Sequence, residues 1–325
     1  QAISILSSLR MAWASEVVPA CNVARLLLPC VLAQLATSLI HSAAFQSSLR
    51  GRDAYDELPF CVYAPRDASD LQVQVFVSSD NTRSLAFGND DLGTQTSVPC
   101  TGPTPRECLG GRASSVNQTQ SCENLECPCH ADMSTLQFVY MRKMMEEIEG
   151  DCSITDAVQE ESPLDSDGSR YKVLLVGLGG GALPSYLSQH CSPRLAVEAV
   201  EYDPRVLAAA THFFGLKLER GAVDAECNDG LAAVEARAQD GRKYDVVLVD
   251  CFQSGGHVPD HCSSVEFVSA LHRVLRPHGK VIQQVWAPQY DMLLQRYQGA
   301  FGTSQVEGKD VQLQANFLIV ANAGQ

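Results

Sequence analysis

The chain has 325 residues, 45% of them hydrophobic, and a formal net charge of -14, with a pI near 4.9. That length buries a sizeable core and accommodates one large domain with a smaller one beside it. The acidic balance repels phosphate backbones, so nucleic acid is not expected as a partner.

The chain opens at Gln1 rather than Met, as expected of a processed or truncated sequence, so a missing targeting signal is uninformative. Val17 to Phe45 is markedly apolar but is interrupted by Arg25, Pro29, Gln34 and His41. Its longest run free of polar side chains, Leu26 to Ala33 with Pro29 inside it, falls well short of the ~20 apolar residues that span a bilayer. It reads as a buried or partner-docked helix, with a signal remnant or a membrane-surface helix as alternatives, so membrane association stays open.

From Pro59 to Phe87, FCVYA, LQVQVFV and RSLAF alternate apolar and polar residues with a period of two. This pattern predicts a small antiparallel meander, with SSDNT as a turn. Gly88 to about Ala131 lacks periodicity and is far longer than an ordinary connection. It holds five of the thirteen cysteines: Cys100, Cys108, Cys122, Cys127 and Cys129. Disulfides, free thiols and a zinc site at Cys122, Cys127, Cys129 and His130 all remain open. The sequon at Asn117 suits an oxidising compartment, and an organelle or secretory lumen is expected over the cytoplasm. Met133 to Ile148 has helical spacing, and Glu149 to Arg170 is an acidic, solvated linker.

Beyond Arg170 the pattern becomes strand, helix, strand, helix. Tyr171–Val176 and Tyr244–Val249 are continuous apolar runs of the kind buried on both faces in a parallel sheet. Further strands are expected at Leu195–Val200, Ala222–Ala225, Lys280–Val285 and Asn316–Val320. Helices are expected at Ala182–His190, Pro204–Phe214, Gly230–Ala238, Ser264–Leu275 and near Tyr290–Ala300. The fold class is α/β, a doubly wound Rossmann-like sheet with a small N-terminal antiparallel β domain. The predicted units are 1–50, 51–131, 132–170 and 171–325.

The first of these strands runs into VGLGGGALP, where Gly177, Gly179 and Gly181 let the backbone turn tightly just before a helix amino terminus. Leu178 and Gly180 complete the loop. Glu201, at the end of VEAVEYDP with Tyr202 following, stands about 20 residues further on, where an acid accepts ribose hydroxyls. NDG follows the third strand, with Asp229 suited to accept from an adenine amine and Gly230 beside it. VDCF follows the fourth, with Asp250 at the crevice mouth. Each acid also suits a helix cap or a turn; the ordered set carries the argument.

These stations resemble the spermidine synthase-like group of class I methyltransferase folds, and most of all its eukaryotic methyltransferase-like branch, which shares VGLGGGxLP and AVExDP. The resemblance implies S-adenosylmethionine or its decarboxylated form as cofactor. It implies that Gly177 to Gly181 line it, that Glu201 binds its ribose with Tyr202 also in contact with the cofactor, that Asp229 and Gly230 face its adenine, and that Asp250 is catalytic. Aminopropyltransferases of the group carry an aspartate within the glycine loop, where this sequence has Gly180. They carry a second three positions beyond the Asp250 match, where it has Gln253.

Without those two charges a polycationic diamine loses its recognition. The expected function is therefore S-adenosylmethionine-dependent methyl transfer to a protein or small amine. The alternative is a non-catalytic subunit of a larger, membrane-bound or organellar assembly, docked through the N-terminal segment and the cysteine-rich loop. His257, Asp260 and His261, in the loop Cys251 to Cys262, read as parts of a mobile polar lid, as general bases or as ligands at an HxxxH interval. No metal site is assigned.

Overall fold

The computed structural model describes residues 60–63, 73–77, 81–87, 94–102, 130–148, 171–191, 195–219, 223–253, 256–312 and 315–324. The apolar segment 17–45, most of the cysteine-rich loop and the acidic linker lie outside them. Among the described residues no helix is long and apolar enough to cross a membrane.

Five strands form the first sheet, β1 (Phe60–Tyr63), β2 (Val73–Val77), β3 (Thr82–Phe87), β4 (Thr94–Thr101) and β5 (His130–Ala131), in sequential order. Every pairing is antiparallel. The period of two puts Val73, Val75, Val77, Leu85 and Val98 into the core. Strand β4 lies inside the stretch that reads in sequence as a special-purpose insertion or a poorly ordered segment. Its TQTSVPCT holds few large apolar residues, but the pairing with β3 supplies its ladder.

Helix α1 (Val139–Glu146) is shorter than the expected span from Met133. The Asp132 carboxylate accepts from the Ser134 amide at 2.9 Å and from its hydroxyl at 2.5 Å. That local turn competes with helix and delays its start. Glu147, just past the helix, pairs with Lys309 at 2.8 Å.

The second sheet comprises β6 (Tyr171–Val176), β7 (Leu195–Glu201), β8 (Val223–Cys227), β9 (Tyr244–Val249), β10 (Leu275–Trp286), β11 (Val306–Gln312) and β12 (Asn316–Asn322). Its order is β11-β12-β10-β9-β6-β7-β8. The five strands from β8 to β10 are parallel, and β11 and β12 are antiparallel. The helices are α2 (Ala182–His190), α3 (Pro204–Phe213), α4 (Gly230–Gln239), α5 (Val265–Val274) and α6 (Ala287–Phe301).

The continuous apolar runs serve two cores at once. Val173, Leu175, Val197, Ala199, Val246 and Leu248 face one cluster with α2, α3 and the valines of β2. Leu174, Val176, Val200, Val247 and Val249 face the other, with α4, α5 and α6. This is the doubly wound arrangement, with a helical layer on each face.

The expected helices and parallel strands recur with shifted ends. Strand β8 runs on to Cys227, β10 begins at Leu275, and α6 begins at Ala287 with proline in its first turn. Strand β11, VEGKDVQ, was not expected. As an edge strand paired only with β12, it needs no apolar run.

Candidate functional site

Strand order reverses between β6 and β9, and a doubly wound sheet opens its crevice there, at the carboxyl ends of the strands. The backbone fixes the loops at this point. Gly177 donates to the Val200 carbonyl and Asp250 to the Val176 carbonyl, both at 2.9 Å, so the ladders continue one residue past the strands. Gly177 has φ 90°, and a Cβ there would lie 2.1 Å from the Asp250 carbonyl oxygen. Only glycine brings β6 and β9 this close.

The Glu201 carboxylate, at the end of β7, is turned toward the glycine loop. One oxygen accepts from the Leu178 amide at 3.0 Å and the other from the Asp203 amide at 2.9 Å. Burial pushes the carboxyl above its ordinary value, against the lowering effect of the Asp203, Leu178 and Gly179 amides. Asp203 caps α3, accepting from the Arg205 amide at 2.8 Å.

From the first sheet, Thr96 of β4 meets the same loop. Its Oγ1 accepts from the Gly180 amide at 2.7 Å. A Cβ on residue 180 would lie 2.8 Å from Thr96 Cγ2 and 2.9 Å from its Cβ. The loop position that holds an aspartate in aminopropyltransferases is therefore closed to any side chain unless Thr96 gives way.

Asp250 follows β9, and its Oδ2 accepts from the Tyr140 hydroxyl of α1 at 3.0 Å. Burial raises its carboxyl, the Tyr140 hydrogen bond partly offsets this, and the Glu201 charge raises it again, to about 7. Burial likewise raises the Tyr140 phenol well above its ordinary value, with the Asp250 charge and hydrogen bond adding to it.

Asp229 caps α4, accepting from the Ala232 amide at 3.0 Å, and its Oδ2 lies 3.6 Å from His261 Nδ1. Tyr202 is 66% exposed and stacks on His261, with ring centroids 5.4 Å apart. The structure thus brings Gly177 to Gly181, Glu201 and Asp250 together. Asp229, Gly230, Tyr202 and His261 form a second group at the carboxyl ends of β7 and β8.

The carboxyl-terminal part of the loop expected to be a mobile lid is pinned. Gln289 exchanges two hydrogen bonds with the Val258 backbone, at 2.8 and 2.9 Å. Gln283 donates to the Cys262 carbonyl at 3.0 Å. Cys251 and Cys262 are joined as a disulfide, and His257 and Asp260 are exposed. Thr96 and Tyr140 were not anticipated as neighbours of the crevice; the loop Cys251 to Cys262 was expected to meet substrate, but the bond between its two cysteines was not foreseen. Only the cysteine pair carried a signal, since it brackets the loop.

A mostly parallel sheet of this order, with a glycine turn after β6 and acids at the ends of β7 and β9, defines the spermidine synthase-like type of class I methyltransferase fold. A family model described as the spermine/spermidine synthase domain matches residues 155–320, just over half of the chain, and the chain belongs to that family.

Polyamine aminopropyltransferase of Vibrio vulnificus is 28% identical over 133 residues, 40% of this chain and 44% of that protein. The eEF1A lysine and N-terminal methyltransferase of Homo sapiens is 34% identical over 118 residues, 34% of this chain and 17% of that protein. The chain spans less than half the length of these curated relatives. A probable spermidine synthase from Corynebacterium glutamicum superposes with a TM-score of 0.55 at 12% identity, covering 82% of this chain and 80% of that one. That likeness shows the fold alone.

Proposed function

We propose that this chain is an S-adenosylmethionine-dependent methyltransferase acting on a protein or small-amine nucleophile. The observation that carries the reading is the packing of Thr96 against Gly180, which leaves no room for the aspartate that aminopropyl transfer uses to hold its cofactor amine. Gln253 in place of the second aspartate removes the matching charge for a diamine. The similarity to eEF1A lysine and N-terminal methyltransferases supports the same choice.

The residues fit such a cofactor. The glycine turn offers a cradle that a Cβ would fill, and the buried Glu201 carboxylate retains lone-pair capacity beyond the backbone amides of Leu178, Gly179 and Asp203. When bound, the cofactor would supply an electrophilic methyl group on sulfonium. Glu201 would accept ribose hydroxyls, Asp229 would accept from the adenine amine, and Tyr202 would present its exposed ring beside the base. Asp250, held by Tyr140, would hydrogen-bond the acceptor nitrogen and align it for attack.

A non-catalytic scaffold is not favoured, since scaffolding alone has no use for a carboxylate buried against a glycine turn. Calorimetric titration with S-adenosylmethionine and with its decarboxylated form tests the proposal. Micromolar binding of the first is expected, weakened at least about 10-fold by Glu201→Ala, because a hydrogen bond to a charged group contributes roughly 1.5–3 kcal/mol. Tighter binding of the decarboxylated form would overturn the reading.

A further inference from the structure

One cluster of soft ligands lies beside the crevice. Cys251 directly follows Asp250, and His261 and Cys262 form the turn that precedes α5. One ligand atom from each of Cys251, His261 and Cys262 lies within 4.8 Å of the others. The two cysteines are joined as a disulfide, with Cα atoms 6.3 Å apart.

The imidazole has a direction that a disulfide staple does not require. Its Nε2 faces Cys251 Sγ at 3.9 Å, and its Nδ1 faces Asp229 Oδ2 at 3.6 Å. A ligating histidine needs this polarity, with one nitrogen toward the metal and the other N–H toward a carboxylate that fixes tautomer and ring orientation. Gly230 clears the space, since a Cβ there would come within 3.1 Å of Cys262 Sγ and 3.6 Å of His261 Cδ2.

The backbone of the cluster is held from outside. Gln283 donates to the Cys262 carbonyl at 3.0 Å, and its own Oε1 accepts from the Tyr297 hydroxyl at 2.7 Å. Arg296 donates to the Ser263 carbonyl at 2.5 Å. Preorganised ligands on a supported backbone distinguish a built site from a chance cluster.

We propose that Cys251, Cys262 and His261, with Asp229 behind the imidazole, form a zinc site in the dithiol state of the protein, with a fourth position open to water. Two thiolates and an imidazole are soft and borderline ligands, which select zinc over magnesium or calcium. Zinc–sulfur bonds of about 2.3 Å in tetrahedral geometry set the two sulfurs roughly 3.8 Å apart. That spacing requires the two cysteine side chains to rotate apart from their bonded positions.

The chemistry balances. A dithiol or phosphine reductant supplies two electrons to break the Sγ–Sγ bond and is itself oxidised, and each sulfur gains a proton. Each thiol then releases its proton to solvent as its bond to zinc forms. Disulfide and zinc are mutually exclusive occupants of the same residues.

The test uses the full chain, reduced with a phosphine, desalted without oxygen and titrated with Co²⁺ and then Zn²⁺. The cysteine-rich segment supplies other thiols, so the readout is the difference from a Cys251→Ser/Cys262→Ser variant. Wild type is expected to bind one more equivalent of Co²⁺, with thiolate charge-transfer absorbance that Zn²⁺ abolishes. His261→Ala, which keeps every cysteine, is expected to weaken that equivalent at least about 10-fold, and Asp229→Asn to weaken it about 10-fold. Equal stoichiometry in wild type and the double variant, undiminished affinity in His261→Ala, or the same equivalent bound by oxidised protein would each overturn the proposal.

Discussion

Thr96 Oγ1 accepts the Gly180 amide hydrogen at 2.7 Å, and the same threonine occupies the space that a side chain on residue 180 would take. The first sheet thereby sets the shape of a loop that belongs to the second. Gly180→Asp is expected to destabilise the fold by about 2 kcal/mol through overpacking and to weaken S-adenosylmethionine binding at least 10-fold. Adding Thr96→Gly should return most of the stability. Urea unfolding and calorimetry read both effects, and a stable single variant that binds the decarboxylated cofactor would contradict the steric account.

Two glycines with similar positive φ should respond very differently to alanine. Gly177 has φ 90° and its added Cβ would strike the Asp250 carbonyl at 2.1 Å, whereas Gly215 has φ 71° and nothing within 4 Å. Gly215→Ala is expected to cost about 1–2 kcal/mol from left-handed strain alone. Gly177→Ala adds a backbone clash and should cost roughly 4 kcal/mol or more. Comparable midpoints in urea for the two variants would refute the close approach of β6 and β9.

Tyr140→Phe removes the hydroxyl whose hydrogen bond the half-buried Asp250 accepts, without changing the shape of the ring. The expected stability loss is about 0.5–1.5 kcal/mol, the net contribution of one hydrogen bond at a half-buried site. If Tyr140 orients Asp250 for the acceptor, S-adenosylmethionine affinity should change less than about twofold, while kcat falls about 100-fold. A KM change with unchanged kcat would assign Tyr140 to binding instead.

Stability should carry an acid-sensitive contribution from Asp203. Burial raises its carboxyl, but the Arg205 side-chain and amide hydrogen bonds outweigh burial and hold it below its ordinary value of 3.8. A depressed folded value means that the unfolded chain binds the proton more readily. The contribution is therefore full above about pH 5 and is lost as pH falls through 3.8 and the folded value beneath it. Asp203→Asn should lower stability by about 1 kcal/mol at pH 7, as loss of a charged cap does. The difference should narrow as pH falls below 3.8, and a gap that stays constant there would mean that the charge is not its source.

The parallel core of the fold was legible because burial on both faces leaves an unbroken apolar run, as in YKVLLV and YDVVLV. Antiparallel β12 was found for the same reason, through its FLIVA stretch. Strands β4 and β11 were missed because their neighbours, not their own composition, supply their ladders. The start of α1 was misjudged because Asp132 offers the backbone a turn that periodicity does not register.

At the site, the glycines and the strand-end acids announce themselves by spacing. Thr96 and Tyr140 reach them from 84 and 110 residues away in the chain, a separation that no local pattern encodes. The cysteines bracketing the loop were visible, but their convergence with His261 depends on the turn at 260–262 and on the gap left by Gly230.

Strand β12 lies between β10 and β11, although it follows both in the chain. A growing chain therefore cannot complete this side of the sheet in order of synthesis. Until β12 emerges, β10 presents an open edge of Val281, Ile282 and Val285, and β11 has nothing to pair with. The nascent domain is exposed to aggregation at that edge for as long as β12 remains in the ribosome, and closing the sheet is the step that ends the exposure.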